Sequence, residues 1–255
     1  MSVPLGFSIF AILLGLILGS FGNVLIYRLP KEKSIGGRSY CPHCKRTLGI
    51  IDLIPVVSFV LLRARCRTCR KPISWQYPLV ELSSGFLFLY ALQADLVAAP
   101  SFAVGVLSAL LLGLCLWLLL LIALTDAKTA LIPDALNIPF LVFSLLHGYI
   151  NGLDLITPAV IGSGFFAAQW VISRGRWVGT GDIVLAAGIG AFLGSVPLLL
   201  LALWIAYVSG AIVAVILLIH KKKTMQSRLA FGPFLVGGAC VAFVWGEQIV
   251  RLVGL

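Results

Sequence analysis

Two acids and four thiols are the residues in this chain whose setting points to chemistry. Gly179-Thr180-Gly181-Asp182 puts a carboxylate where a long apolar run begins, and Asp126 closes an earlier one. An ionisable group at the end of an apolar helix is expensive to bury, which points to function. Two carboxylates in contact do not both ionise readily, so they share a proton. One then activates water while the other protonates the leaving nitrogen of an amide, which is the chemistry of an aspartic peptidase at a membrane boundary.

The remaining acids read differently. Asp134 follows Pro133 in a first helical turn, where the macrodipole favours an acid for structural reasons alone. Asp95 and Asp154 fall at the opposite ends of their runs and are expected to be solvated. Asp126 has no such structural excuse at a helix C-terminus, although Lys128 stands two residues on. Gly179 and Gly181 add weight to Asp182, since missing side chains let a substrate or another helix approach closely. The helix ends alone make Asp182 the resting base and Asp126 the acid.

Cys41-Pro-His-Cys44 and Cys66-Arg-Thr-Cys69 are two CxxC hooks separated by 21 residues. Each hook offers two thiolates, and together they close a tetrahedral four-cysteine site of the zinc-ribbon kind. A reducing cytoplasm favours metal over disulfides. His43 reads as a loop residue, and Cys115 and Cys240 as packing residues inside apolar runs.

The elements that must position these groups are membrane helices. The chain has 255 residues, 60% of them hydrophobic, with a mean hydropathy of +1.09, far above that of a soluble domain. Apolar runs near 5–27, 76–98, 103–125, 133–150, 156–173, 182–196, 197–219 and 229–251 predict about eight transmembrane helices. The pair 182–196 and 197–219 leaves a re-entrant or tilted helix open. With the N-terminus outside, loops 28–75, 126–132, 174–181 and 220–228 share one side and hold 18 of the 19 Lys and Arg residues. The positive-inside rule makes that side cytoplasmic.

The net charge of +10 therefore reads as topology and not as a nucleic-acid surface. Lys221-Lys222-Lys223 is an anchor beside anionic lipid. The expected organisation is all-α and polytopic: a first helix in 1–27, a small cytoplasmic cysteine-rich domain in 28–75, and a helical bundle in 76–255 carrying the aspartates. Within the insert, residues 50–62 are apolar but broken by Asp52 and Pro55, which predicts a surface-lying or core segment instead of a ninth span.

These motifs, in this order, resemble the bacterial prepilin peptidases, membrane aspartic proteases of the GxGD type. Gly19-Ser-Phe-Gly-Asn-Val-Leu-Ile-Tyr-Arg-Leu-Pro30 is similar to the family's opening signature. Arg65-Cys66-Arg67-Thr68-Cys69, Pro72-Ile73-Ser74 and Tyr77-Pro78-Leu79-Val80-Glu81 are similar to its cysteine domain and following span. Thr125-Asp126 with Ile132-Pro133-Asp134, then Gly179-Thr180-Gly181-Asp182 and Phe231-Gly232-Pro233-Phe234, complete the set.

The resemblance implies removal of a short basic leader from type IV prepilins or type II secretion pseudopilins in the bacterial inner membrane, with Asp126 and Asp182 as the catalytic pair. It also implies N-methylation of the new terminus using S-adenosylmethionine, for which no nucleotide-binding loop is legible. The family often carries lysine two residues after the second aspartate, where this chain has Val184. An alternative from the residues alone is a zinc-stapled membrane transporter whose aspartates relay protons or bind a cation.

Overall fold

The computed structural model describes residues 3–220 and 229–253. The lysine run 221–223 lies outside them. Nine α-helices occur among the described residues: α1 (Leu5–Arg28), α2 (Val57–Leu61), α3 (Gln76–Ala98), α4 (Phe102–Thr129), α5 (Asp134–Ile150), α6 (Ile156–Ser173), α7 (Thr180–Leu193), α8 (Val196–Ile219) and α9 (Gly232–Val253). Among the described residues there is no strand, only the isolated bridges Tyr40–Thr47 and Arg65–Pro72. All eight expected apolar runs form helices. Six are long and apolar enough to cross a membrane, while α5 and α7 are shorter. At 14 residues, α7 is about 21 Å long against a hydrocarbon core of about 30 Å. A helix that short must end below one surface, where protein has to cover its termini.

The chain divides into two compact units, Met1–Trp117 and Leu118–Leu255, so α4 runs through the division. In the first unit, α1 packs on α3 through a stripe of small residues. A Cβ on Gly15 would strike the Ser84 carbonyl, and one on Gly19 would lie 2.7 Å from the Glu81 Cα. Small residues at this four-residue spacing let two helix backbones touch, which in lipid is a main source of association. Asn23, one turn further on, donates from Nδ2 to the Tyr77 carbonyl at 3.2 Å. The buried Arg28 guanidinium then gathers the outgoing chain by donating to the carbonyls of Ser34, Ile35, Gly36 and Arg38.

The insert after α1 folds as two near-copies of one turn. The Cys41 N–H donates to the Arg46 carbonyl and the Cys66 N–H to the Lys71 carbonyl, both at 2.9 Å. Lys45 and Arg70 hold the matching positive-φ positions at 60° and 58°. Between the copies, residues 50–62 form a 3-10 turn at Ile51–Leu53 and the five-residue α2, with Ile50, Val60 and Leu61 exposed. Asp52 and Pro55 break the apolar run, and what is left is too short to span.

In the second unit, α7 is the buried centre: Leu185, Ala186 and every residue from Gly188 to Leu193 are covered. Glycines again set the distances. A Cβ on Gly190 would strike the Pro158 carbonyl of α6, and one on Gly188 would lie 2.7 Å from the Phe140 ring of α5. Phe192 of α7 meets Phe140 of α5 at 6.3 Å and Phe243 of α9 at 4.8 Å between ring centroids. Gly194, at φ 59°, turns the chain out of α7. Val196 and Pro197 then start α8, so the uncertain stretch is a short buried helix followed by a full-length one.

Candidate active site

Asp126 and Asp182 both lie in the second unit. Asp126 is in the last turn of α4 and is only 4% exposed. Its Oδ2 accepts the Gly232 N–H at 2.7 Å, and Gly232 is the first residue of α9. Asp182 is the third residue of α7, and its Oδ2 accepts the Gly179 N–H at 2.9 Å, closing the helix N-terminus. Each carboxylate therefore faces the N-terminal end of a helix. The asymmetry expected from α4 alone disappears, because α9 presents its positive dipole end to Asp126. Helix dipoles do not decide which acid is the base. Lys128 is exposed, whereas Asp126 is buried.

The glycines differ in what they do. A Cβ on Gly232 would lie 2.8 Å from Asp126 Oδ2 and 3.2 Å from its Cγ, so the contact requires glycine. At Gly181 the added atom would stand 3.0 Å from the Ile132 Cβ, which puts the chain before α5 against this turn. At Gly179 it would meet nothing closer than 3.6 Å, so packing does not demand glycine there.

Sequence reasoning missed two groups beside the pair. Asn137 on α5 is fully buried and donates from Nδ2 to the Gly181 carbonyl at 2.8 Å, which fixes the turn carrying Asp182. An asparagine inside an otherwise apolar helix was the available signal. Tyr207 on α8 pairs its hydroxyl with the Gln169 amide of α6 at 2.9 Å. Its ring meets Phe231 at 5.0 Å. Thr125 Oγ1 and Asn137 Oδ1 are buried with no hydrogen-bond partner among the described residues.

The other acids take structural positions. Asp134 is the first residue of α5 behind Pro133. Asp154 is exposed and caps α6 by accepting the Thr157 N–H at 3.1 Å. Asp95 departs from expectation: it is half-buried and accepts the Ser108 hydroxyl at 2.5 Å, because α4 folds back beside it. Val184 is two residues after Asp182 on a helix, about 200° round the axis. A lysine there would not face the carboxylate, so Val184 removes no direct charge partner.

In the first unit, the Sγ atoms of Cys41, Cys44, Cys66 and Cys69 all lie within 4.8 Å of one another. The Cys41–Cys69 separation is 3.9 Å, against about 3.8 Å between sulfurs around a tetrahedral ion with 2.3 Å bonds. The Cys69 and Thr68 N–H groups lower the Cys66 thiol to about 6. The Lys71 N–H pulls Cys69 the same way, but burial and the neighbouring thiols push it up to about 11. Four thiols gathered this closely are the donor set of a tetrahedral divalent metal, and they fit one here. His43 is exposed and outside the cluster.

Comparison with known proteins follows this division. Residues 13–94 match the Bacterial Peptidase A24 N-terminal domain, and residues 113–215, which contain both aspartates, match the Type IV leader peptidase family. The chain is 32% identical to a prepilin leader peptidase/N-methyltransferase of Aeromonas hydrophila, over 94% of this chain and 91% of that one. The chain belongs to the type IV leader peptidase family. It is also 35% identical to the prepilin leader peptidase/N-methyltransferase of Burkholderia pseudomallei strain 1026b, over 99% and 90% of the two chains. The Dickeya chrysanthemi relative of the same name is 37% identical over 89% of each. No solved structure matches the chain. With its run of long apolar helices, this member of the family is a multi-pass membrane protein.

Proposed function

We propose that the chain is an aspartic endopeptidase of the bacterial inner membrane that removes the short basic leader of prepilins or pseudopilins at the cytoplasmic face, with Asp126 and Asp182 as its catalytic pair. The observation that carries this reading is the arrangement of the pair: within one compact unit, each carboxylate is held by a backbone N–H at a helix N-terminus. Rigid donors of this kind leave one carboxyl oxygen tied and direct the other toward the reacting atoms.

In the reaction, one carboxylate takes a proton from water as the oxygen attacks the scissile carbonyl carbon. The other, protonated, gives its proton to the departing amine as the C–N bond breaks. Asn137 keeps the Asp182 turn in place, and Gly232 keeps Asp126 in place. The basic loops 28–75, 126–132 and 174–181 support an orientation with both acids at the cytoplasmic side and the N-terminus outside.

The names of the relatives support a second activity, methylation of the new N-terminal amine with S-adenosylmethionine as donor. Cys41, Cys44, Cys66 and Cys69 would hold a zinc ion, which would supply a structural cross-link to the insert of 28–75 and no catalytic step.

The test is intact mass after incubating a prepilin and S-adenosylmethionine with purified protein in detergent. Wild type is expected to remove the leader mass and add one methyl. Asp126→Asn and Asp182→Asn are each expected to lose at least about 10³-fold in cleavage. Cleavage at the wild-type rate by either variant overturns the assignment of the pair.

A further inference from the structure

Between its two cysteine turns the insert presents a row of apolar side chains that no part of the protein covers. Within residues 50–61, Ile50 is 85% exposed, Val60 65% and Leu61 69%, with Ile51 and Val57 also uncovered. Phe59 is the buried residue of α2. Such a row is costly in water, and a contiguous apolar patch of this kind marks a contact.

Two contacts with α3 fix the height of the row. The Phe59 ring meets the Trp75 ring at 4.9 Å, and Trp75 stands immediately before α3. Further along α3, Glu81 Oε2 accepts the Val56 N–H at 2.7 Å. Val56 is held at φ 62° and ψ −49°, with the Val57 N–H turned onto the Pro55 carbonyl at 2.6 Å. This is the strained form of the γ-turn, which a β-branched residue keeps only where its surroundings fix it. The apolar span Gln76–Val97 has 22 residues and is about 33 Å long, against a hydrocarbon core of about 30 Å. Glu81 is the sixth residue of α3, about 7.5 Å from its start. Val56 is therefore drawn to the depth where headgroups give way to acyl chains.

The charges beside the row suit a membrane surface. From residue 53 to 75 the chain has no acid and carries Arg63, Arg65, Arg67, Arg70 and Lys71. Arg67 pairs with Asp52. Arg63 and Arg65, just beyond α2, are exposed and form no ion pair among the described residues. Trp75 is 68% exposed beside Phe59, an amphipathic ring of the kind that settles at a membrane–water boundary.

We propose that residues 50–61 are a monotopic membrane anchor: Ile50, Val60 and Leu61 enter the acyl boundary of the adjoining leaflet, while Arg63 and Arg65 hold anionic lipid headgroups. The insert is thus moored by α1, by α3 and by this row between its cysteine hooks, and lipid as well as protein sets its height. A segment this short binds a membrane weakly by itself, but α1 and α3 keep it within reach of the bilayer, so the effective concentration of lipid is high. The anchor requires only that α1 and α3 cross the membrane, and neither activity of the relatives enters it.

The test is photo-crosslinking of the full-length protein in nanodiscs of equal phosphatidylcholine and phosphatidylglycerol, with a benzophenone amino acid in place of Leu61. A second label in place of Phe86, an exposed residue of α3, marks ordinary contact with acyl chains. Both positions are expected to give phospholipid adducts, read by intact mass. Ile50→Asp with Val60→Asp should cut the adduct at position 61 at least about fivefold and leave that at position 86 unchanged. Arg63→Glu with Arg65→Glu should lower the ratio of phosphatidylglycerol to phosphatidylcholine adducts at position 61 by about fivefold. Lipid adducts at position 86 without any at position 61 overturn the anchor. So does an adduct at position 61 to a second copy of the chain, or to added prepilin, in place of lipid.

Discussion

The cysteine insert and the aspartate pair are held in opposite ways. The insert is ordered by local turns, each closed by a few backbone hydrogen bonds around two cysteines, and it leaves Ile50 and Leu61 exposed. So little apolar burial in under fifty residues does not sustain a fold without a cross-link. The pair, in contrast, is held by buried helices whose glycines let backbones touch, and its acids are tied to the ends of α7 and α9. One region depends on four side chains, the other on the packing of a whole unit. Removing the proposed zinc is therefore expected to unfold one and spare the other.

The strongest way to break that contrast is to remove the thiols. Cys44→Ser with Cys69→Ser is expected to abolish zinc binding, an interaction worth on the order of 10 kcal/mol in structural sites, and to open residues 38–74 to limited proteolysis. The helices of the second unit should stay protected, as mass-mapped fragments would reveal. Cleavage spreading into 180–219 would show that the two regions are not independently held.

The converse disturbance is Gly232→Val. Its Cβ would press on Asp126 Oδ2 at 2.8 Å, and overpacking of this kind costs about 1–3 kcal/mol. Prepilin cleavage should fall about 100-fold through the displaced carboxylate, with zinc content unchanged. A weaker effect on the same side is expected of Asn137→Leu. Losing the bond to the Gly181 carbonyl costs about 1–3 kcal/mol and should lower kcat roughly tenfold while leaving KM nearly alone.

The smallest effect belongs to the insert. Burial works against the charge of Asp52, but the Gly49 N–H and the Arg67 guanidinium outweigh it and hold the carboxyl below its ordinary value. A depressed carboxyl stabilises the fold above the unfolded-state pKa of about 4 and loses that contribution as pH falls through its own lower value. Asp52→Asn should thus lower the resistance of the insert to proteolysis at pH 7, by under about 1 kcal/mol. The difference from wild type should vanish well below pH 4.

Much of the frame was legible because membrane helices announce themselves by length and hydropathy, and cysteine hooks by spacing. All eight helices, the break at Asp52 and Pro55, and the grouping of the thiols follow from those signals. The rest depended on partners remote in sequence. Nothing near Asp126 reveals that Gly232, 106 residues on, supplies its hydrogen bond. Nothing near Asp95 reveals Ser108 folding back onto it. The Gly15 and Gly19 stripe was readable in principle, since spacing of that kind is a helix-contact pattern.

By itself the sequence determined which segments are helical and apolar, which residues carry charge at their ends and which thiols come in pairs, since each is a property of neighbours along the chain. Only the tertiary structure decided that α9 delivers its N-terminus to Asp126, that Asn137 holds the turn of Asp182, and that Glu81 ties the insert to α3. Those are contacts between distant segments, set by how closely glycine-bearing helices approach, and no local pattern encodes them.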